Sequence, residues 1–189
     1  MRLRTPRIAP VDVDHLSEDQ REALAPLMGA GPLLNIFRTV AHAPKALTRF
    51  LEWGNYVLSR RNSLPARERE IVILRIGFLC RSGYEFTQHT RIGLREGLSE
   101  NEIVAIKRGA DATGWSQADQ ALIRACDELH GDQFISDGTW SALSQHFDQK
   151  QRMDVVFTVG QYTQVSMMLN TFGVQLEAGA TLDPELAAY

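Results

Sequence analysis

The chain has 189 residues, 44% of them hydrophobic and 23% charged, enough for one substantial core and unlike a disordered or fibrous composition. Its formal net charge of -3 supplies no basic field, so neither nucleic acid nor anionic lipid is an expected partner. Arg2, Arg4 and Arg7 precede no apolar segment, and no uninterrupted apolar run approaches the ~20 residues that span a bilayer. Cys80 and Cys126 are too few for a disulfide scaffold and fit a reducing compartment, so a cytoplasmic protein without membrane association is expected.

In chain order, residues 1–16, with Pro6 and Pro10, read as an extended N-terminal arm suited to lie on a neighbouring subunit. Residues 17–189 read as one domain. Ser17 supplies a cap for a helix reaching about Met28, which Gly29-Ala30-Gly31-Pro32 ends. A short helix over about Leu33–Ala41 leads to Pro44, suited to the first turn of a helix reaching Arg60. Pro65 opens the next, whose Ile71, Val72, Leu74, Ile76, Phe78 and Leu79 form so broad an apolar surface that a central position is predicted. Arg81-Ser82-Gly83 breaks the pattern, Tyr84–Glu96 resumes it, and Gly97 stops it. Ser99-Glu100-Asn101-Glu102 is a capping box opening a helix to about Arg108. Helices follow at about 117–130, 137–147 and 150–176. Strand-like alternation, internal repeats and low-complexity segments are absent, so the expected fold is an all-α bundle of about eight or nine helices.

Chemistry concentrates between Glu70 and His89. Glu85 and His89 are four apart and share a helix face, so a carboxylate can orient an imidazole that exchanges protons near neutral pH. Glu70 joins them if the break at Ser82 folds the two helices together. A structural reading of the same residues stands beside this one: Ser82-x-x-Glu85 is itself a capping-box pattern, in which Glu85 closes a helix N-terminus and nothing more. The helix over 150–176 carries Tyr162, Ser166 and Asn170 at four-residue steps, a polar stripe that needs a ligand, a water or a second subunit as partner. Gly160 and Gly173 suit close helix approach. Trp115 and Trp140 are assigned to the core more readily than to a pocket wall. Glu70, Glu85, His89 and His130-x-Asp132 form no paired metal-binding signature, and no metal is expected.

The spacing Glu70-x11-Ser82-x2-Glu85-x3-His89 resembles Glu-x11-Cys-x2-Cys-x3-His, the pattern of the alkylhydroperoxidase D branch of the carboxymuconolactone decarboxylase superfamily. Glutamate and histidine are in register, and Ser82 and Glu85 occupy the two cysteine positions. Arg67–Arg75, Tyr84-Glu85-Phe86 and Gly97-Leu98-Ser99 also resemble the family, whose likeness covers roughly residues 35–110. It implies an alkylhydroperoxidase D-like bundle of the cysteine-lacking kind, assembled as a homo-oligomer (dimer, trimer or hexamer). A Glu-x3-His step is also carried by the decarboxylase branch. That likeness implies a cofactor-free reaction on a small acidic unsaturated lactone, with His89 as acid–base group, Glu85 and Glu70 supporting it, and Ser82, Tyr84, Tyr162 and Asn170 contacting substrate. Glu70 resembles the proton relay of the peroxidase branch instead, which keeps a hydroperoxide reductase and a non-catalytic small-molecule binder as the alternatives.

Overall fold

The computed structural model describes residues 2–29 and 31–187; Met1 of the predicted arm, Ala30 of the predicted break, and Ala188 and Tyr189 lie outside the described residues. Among the described residues there are nine α-helices and no strand. They are α1 (Glu18–Leu24), α2 (Asn35–Val40), α3 (Pro44–Leu58), α4 (Ala66–Leu79), α5 (Gly83–Arg95), α6 (Glu100–Arg108), α7 (Gln117–Asp132), α8 (Asp137–Ser144) and α9 (Gln149–Phe172), with short 3-10 turns at Val13–His15, Ala25–Leu27 and Pro184–Leu186. No helix among them is long and apolar enough to cross a membrane.

The boundaries follow local chemistry. Capping boxes open α1 at Ser17, α6 at Ser99 and α9 at Asp148, each closed by the N3 side chain reaching back to the cap, so two free backbone donors are satisfied at each start. Helix α9 stops at Phe172, short of the predicted 176, because Gly173 turns left-handed at φ 71°. That turn also brings the N-terminal arm close: a Cβ on Gly173 would meet Leu3, Thr5 and Pro6. The arm is anchored on its own chain, with the Arg7 and Ile8 N–H groups donating to the Phe172 carbonyl and Val11 N–H to Arg38. Gly160, by contrast, has nothing near its Cβ position.

Helix α4 occupies the centre, as its composition predicts: Glu70 through Gly77 are all buried, and α4 packs against α5, α6, α7 and α9. Its Val72, Ile73 and Ile76 enter the main apolar core, while Ile71 and Leu74 enter a second one with Phe86, Ile106, Trp115 and Ile123. Trp115 therefore sits in a core, whereas Trp140 lies at the surface under the Arg152 guanidinium, 4.7 Å away. Cys126 is a fully buried core residue. A helix buried all round must pair its polar side chains internally. Arg75 does so through Asp127 (2.6 Å) and the Ile106 and Lys107 carbonyls.

Helices α4 and α5 run antiparallel at close range. A Cβ at Gly77 would lie 3.3 Å from Glu85 Cγ, and one at Gly93 would lie 2.9 Å from Leu98 Cδ1 and 3.2 Å from Leu74 Cδ1. Gly93→Ala is therefore expected to cost about 1–3 kcal/mol of stability by overpacking, measured by chemical denaturation. An unchanged midpoint would mean that α5 can back away from α4 freely.

Candidate functional site: a buried carboxylate–imidazole cluster

The turn between α4 and α5 creates the site. Arg81 adopts φ 53°, its N–H bonds the Phe78 carbonyl, and Ser82 N–H reaches back to Gly77 at 2.8 Å. This pair of bonds is a Schellman closure built on a non-glycine residue. It ends α4 abruptly and sends α5 back along it, so that Glu85 lands beside Gly77 and His89 beside Glu70.

Ser82 is the N-cap residue of α5, but its side chain makes no capping bond; its hydroxyl is buried without a partner. The capping-box pattern of Ser82 and Glu85 is thus not realised, and Glu85 turns toward His89 instead. His89 Nδ1 lies 2.7 Å from Glu70 Oε2, and its Nε2 lies 3.1 Å from Glu85 Oε1. The second approach is a charge contact without hydrogen-bond geometry, since Glu85 Oε1 has no hydrogen-bond partner. Glu70, Glu85 and His89 are 1%, 4% and 7% exposed. Tyr162 on α9 stands edge-on to the imidazole, ring centroids 5.0 Å apart at 82°.

Electrostatics follow from burial. Removal from water pushes the Glu85 carboxyl up to about 7; His89 opposes that rise and Glu70 adds to it. Burial works against charge on His89, yet Glu85 and the Glu70 hydrogen bond outweigh it and raise the imidazole above its ordinary value. The Tyr162 phenol is held well above its usual range by burial and by the two carboxylates, so it remains a hydrogen-bond donor. A carboxyl whose proton exchanges near neutrality, buried in contact with an imidazole raised above its ordinary value, is suited to general acid–base work.

Glu85, His89 and Tyr162 face a cavity of about 570 Å³. Its other walls are Ile36 and Phe37 of α2, Phe50, Leu51, Gly54 and Leu58 of α3, and Gln161 and Val165 of α9. Helix α5 adds Tyr84, Gln88, Arg91, Ile92 and Arg95, and the two arginines are solvent-exposed, placing positive charge at the mouth of an apolar chamber. Tyr84 borders the cavity while donating its hydroxyl to Glu177 at 2.6 Å; burial and that carboxylate raise its pKa far above the usual phenol range. Asn170 lies elsewhere, its amide donating to the Cys80 carbonyl at 2.9 Å. Ser82 and Asn170 do not border the cavity, and neither does Cys80 or Cys126. Burial raises the pKa of both thiols, the opposite of what a reactive thiolate needs. Among the described residues no group of three or more His, Cys, Asp or Glu side chains is arranged to hold a metal ion.

Gln161, Arg91 and Arg95 are among the cavity residues that sequence reasoning missed. On α5 a signal existed: Gln88, Ile92 and Arg95 follow Glu85 at three, seven and ten residues, along the face that Glu85 opens. For Gln161 none existed beyond its place next to Tyr162.

Residues 44–128 match the family model described as Carboxymuconolactone decarboxylase family. Among solved structures, an uncharacterised peroxidase-related protein with an alkylhydroperoxidase AhpD core, from Ralstonia eutropha JMP134, superposes with TM-score 0.77 at 18% identity, covering 90% of this chain and 93% of that one. A peroxidase-related protein from Silicibacter sp. TM1040 gives TM-score 0.73 at 13% identity, with 95% and 93% covered. The debrominase Bmp8, as a cysteine-to-alanine variant in complex with 2,3,4-tribromopyrrole, also gives 0.73, at 12% identity with 93% and 94% covered. These likenesses establish the fold, and no curated protein matches the chain.

The raised carboxyl predicts a pH signature in stability. Glu85 moves from its ordinary 4.5 to about 7 on folding, so folding takes up a proton between those values. Its stabilising contribution is complete below 4.5 and lost as pH rises through about 7. His89, also raised, acts in the same direction: its contribution is present below its ordinary value and lost above its higher folded one. Glu85→Gln, which mimics the protonated carboxyl, is expected to gain in Tm over the wild type as pH goes from about 5 to about 8. A constant difference would mean that Glu85 ionises at no cost in the fold.

Proposed function

We propose, for a chain whose residues 44–128 match the carboxymuconolactone decarboxylase family model, a cofactor-independent acid–base enzyme that decarboxylates or isomerises a small, acidic, unsaturated lactone or related ring-cleavage product. The observation that carries this reading is the Glu70–His89–Glu85 cluster set into the wall of an apolar cavity. A family match fixes no single reaction, so the reaction class rests on these groups.

The chemistry divides among them as follows. Arg91 and Arg95 at the mouth receive a carboxylate of the substrate, while the apolar walls hold its ring. The scissile C–C bond breaks, carbon dioxide leaves, and the electron pair flows into the conjugated lactone carbonyl. Tyr162, kept protonated by its surroundings, donates to the developing oxyanion, the kind of preorganised contact that lowers such barriers most. The proton that completes the product comes from the Glu85–His89 pair and goes to carbon. Glu70 is a positioning residue: through Nδ1 it fixes the ring so that Nε2 faces Glu85 and the cavity. Solvent then replaces the proton. An isomerisation uses the same groups, with the base removing a proton from one carbon and returning it to another.

One fold neighbour, the debrominase, is seen with a small unsaturated ring, 2,3,4-tribromopyrrole, so a fold of this kind accommodates a substrate of that size. Neither cysteine of the chain borders the cavity, which leaves a thiol peroxidase without a positioned nucleophile there.

On a lactone acid that the wild type turns over, His89→Gln is expected to lower kcat by about 100- to 10,000-fold, with Cys80→Ser and Cys126→Ser together leaving it unchanged. In deuterium oxide the product is expected to carry one deuterium at the carbon that received the proton. Full turnover by His89→Gln, or loss of turnover with the cysteines, would overturn the assignment.

A further inference from the structure

Gln161 precedes Tyr162 on α9 and borders the same cavity as Glu85 and His89. It is 5% exposed, and its Oε1 is buried with no hydrogen-bond partner. The backbone of α3 leaves room for the side chain at Gly54, whose Cβ position is 3.7 Å from Gln161 Nε2. An unpaired buried amide oxygen carries a desolvation cost that a leucine or methionine of similar size would not incur. Glu85, in the wall of the same cavity, also has an oxygen without a hydrogen bond, Oε1, which meets His89 Nε2 only as a charge contact at 3.1 Å.

Two acceptor oxygens without a hydrogen bond, each on a side chain that lines one apolar chamber, are poorly matched to a ligand that is apolar throughout. They match a ligand that brings a hydrogen-bond donor with it. We infer that the cavity selects molecules carrying an O–H of the phenol or enol type, or a ring N–H, on an apolar body, and that Gln161 Oε1 is the acceptor that reads this donor. The discrimination arises because a donor-less analogue leaves the amide unpaired, whereas the donor-bearing one satisfies it; sites built this way reject the analogue more strongly than apolar pockets reject a lost methylene. The inference shares the cavity of the acid–base reading and narrows its substrates to hydroxyl-, enol- or N–H-bearing unsaturated acids, but its test requires no turnover.

The test is calorimetric titration of the full chain with 4-hydroxyphenylacetate, phenylacetate and 4-methoxyphenylacetate, with the wild type, Gln161→Leu and Gln161→Met. In the wild type, the hydroxyl compound is expected to bind about tenfold tighter than the other two, the value of one hydrogen bond to a buried acceptor. Both variants are expected to bring the three to parity, to keep the affinity for phenylacetate, and to show a Tm equal to or above that of the wild type. Equal affinities in the wild type overturn the inference. So do a preference that survives in both variants, a lower Tm in both, or no binding of 4-hydroxyphenylacetate at millimolar concentration. A wild type that prefers the hydroxyl compound but gives no turnover of any lactone acid would sink the acid–base reading and leave this one standing.

Discussion

The hydrogen bond between Glu70 and His89 ties the central helix of the bundle to the one folded back on it, and it does so where neither side chain meets bulk water. Two carboxylates and one imidazole held away from bulk water are costly unless they compensate one another. Here the imidazole carries charge more readily because the carboxylates flank it, and Glu85 carries charge less readily because it is buried near Glu70. The protonation of His89 and that of Glu85 therefore depend on one another, and the two titrate as a pair.

The rest of the fold serves that arrangement. Gly77 and Gly93 let α5 approach α4 without side chains between the backbones, and the left-handed Arg81 closes α4 so that the return starts at once. Arg67 braces the first turn of α4 against the starts of α6 and α7 through Glu102 and through Asp119 at 2.9 Å. At the other side of the bundle, buried Asp154 collects Tyr56, the Ser63 N–H and hydroxyl, and Lys150. That network fixes the end of α3 and the loop before α4 onto α9, the helix that delivers Gln161 and Tyr162 to the cavity.

Helix existence was legible because the signals are local: the caps at Ser17 and Ser99, the prolines at 44 and 65, and the apolar run from Ile71 to Leu79. The pairing of Glu85 with His89 was legible from a spacing of four, and Glu70 from its register with them. Two competing readings of Glu85, cap or acid–base group, could not be separated from spacing alone. The structure removes the capping-box reading, since Ser82 makes no capping bond, and it brings the Glu85 carboxylate to the imidazole. What stayed hidden depends on which helix packs on which. Tyr162 and Asn170 look equivalent along the α9 stripe, yet one faces His89 while the other holds the end of α4. Gln161, and the apolar wall from α2 and α3, are read only once α3 is known to pack on α9.

The claim on which the account depends most is that His89 is a titrating base shared between two buried carboxylates. Its most direct measurement is the pair of ring nitrogen-15 shifts of His89 followed across pH in the wild type and in Glu85→Gln. The account predicts an Nδ1 that stays protonated against Glu70, an Nε2 that titrates above the ordinary imidazole value, and a downward move of that midpoint when Glu85 loses its charge. A midpoint at or below the ordinary value, or one indifferent to Glu85→Gln, would contradict it.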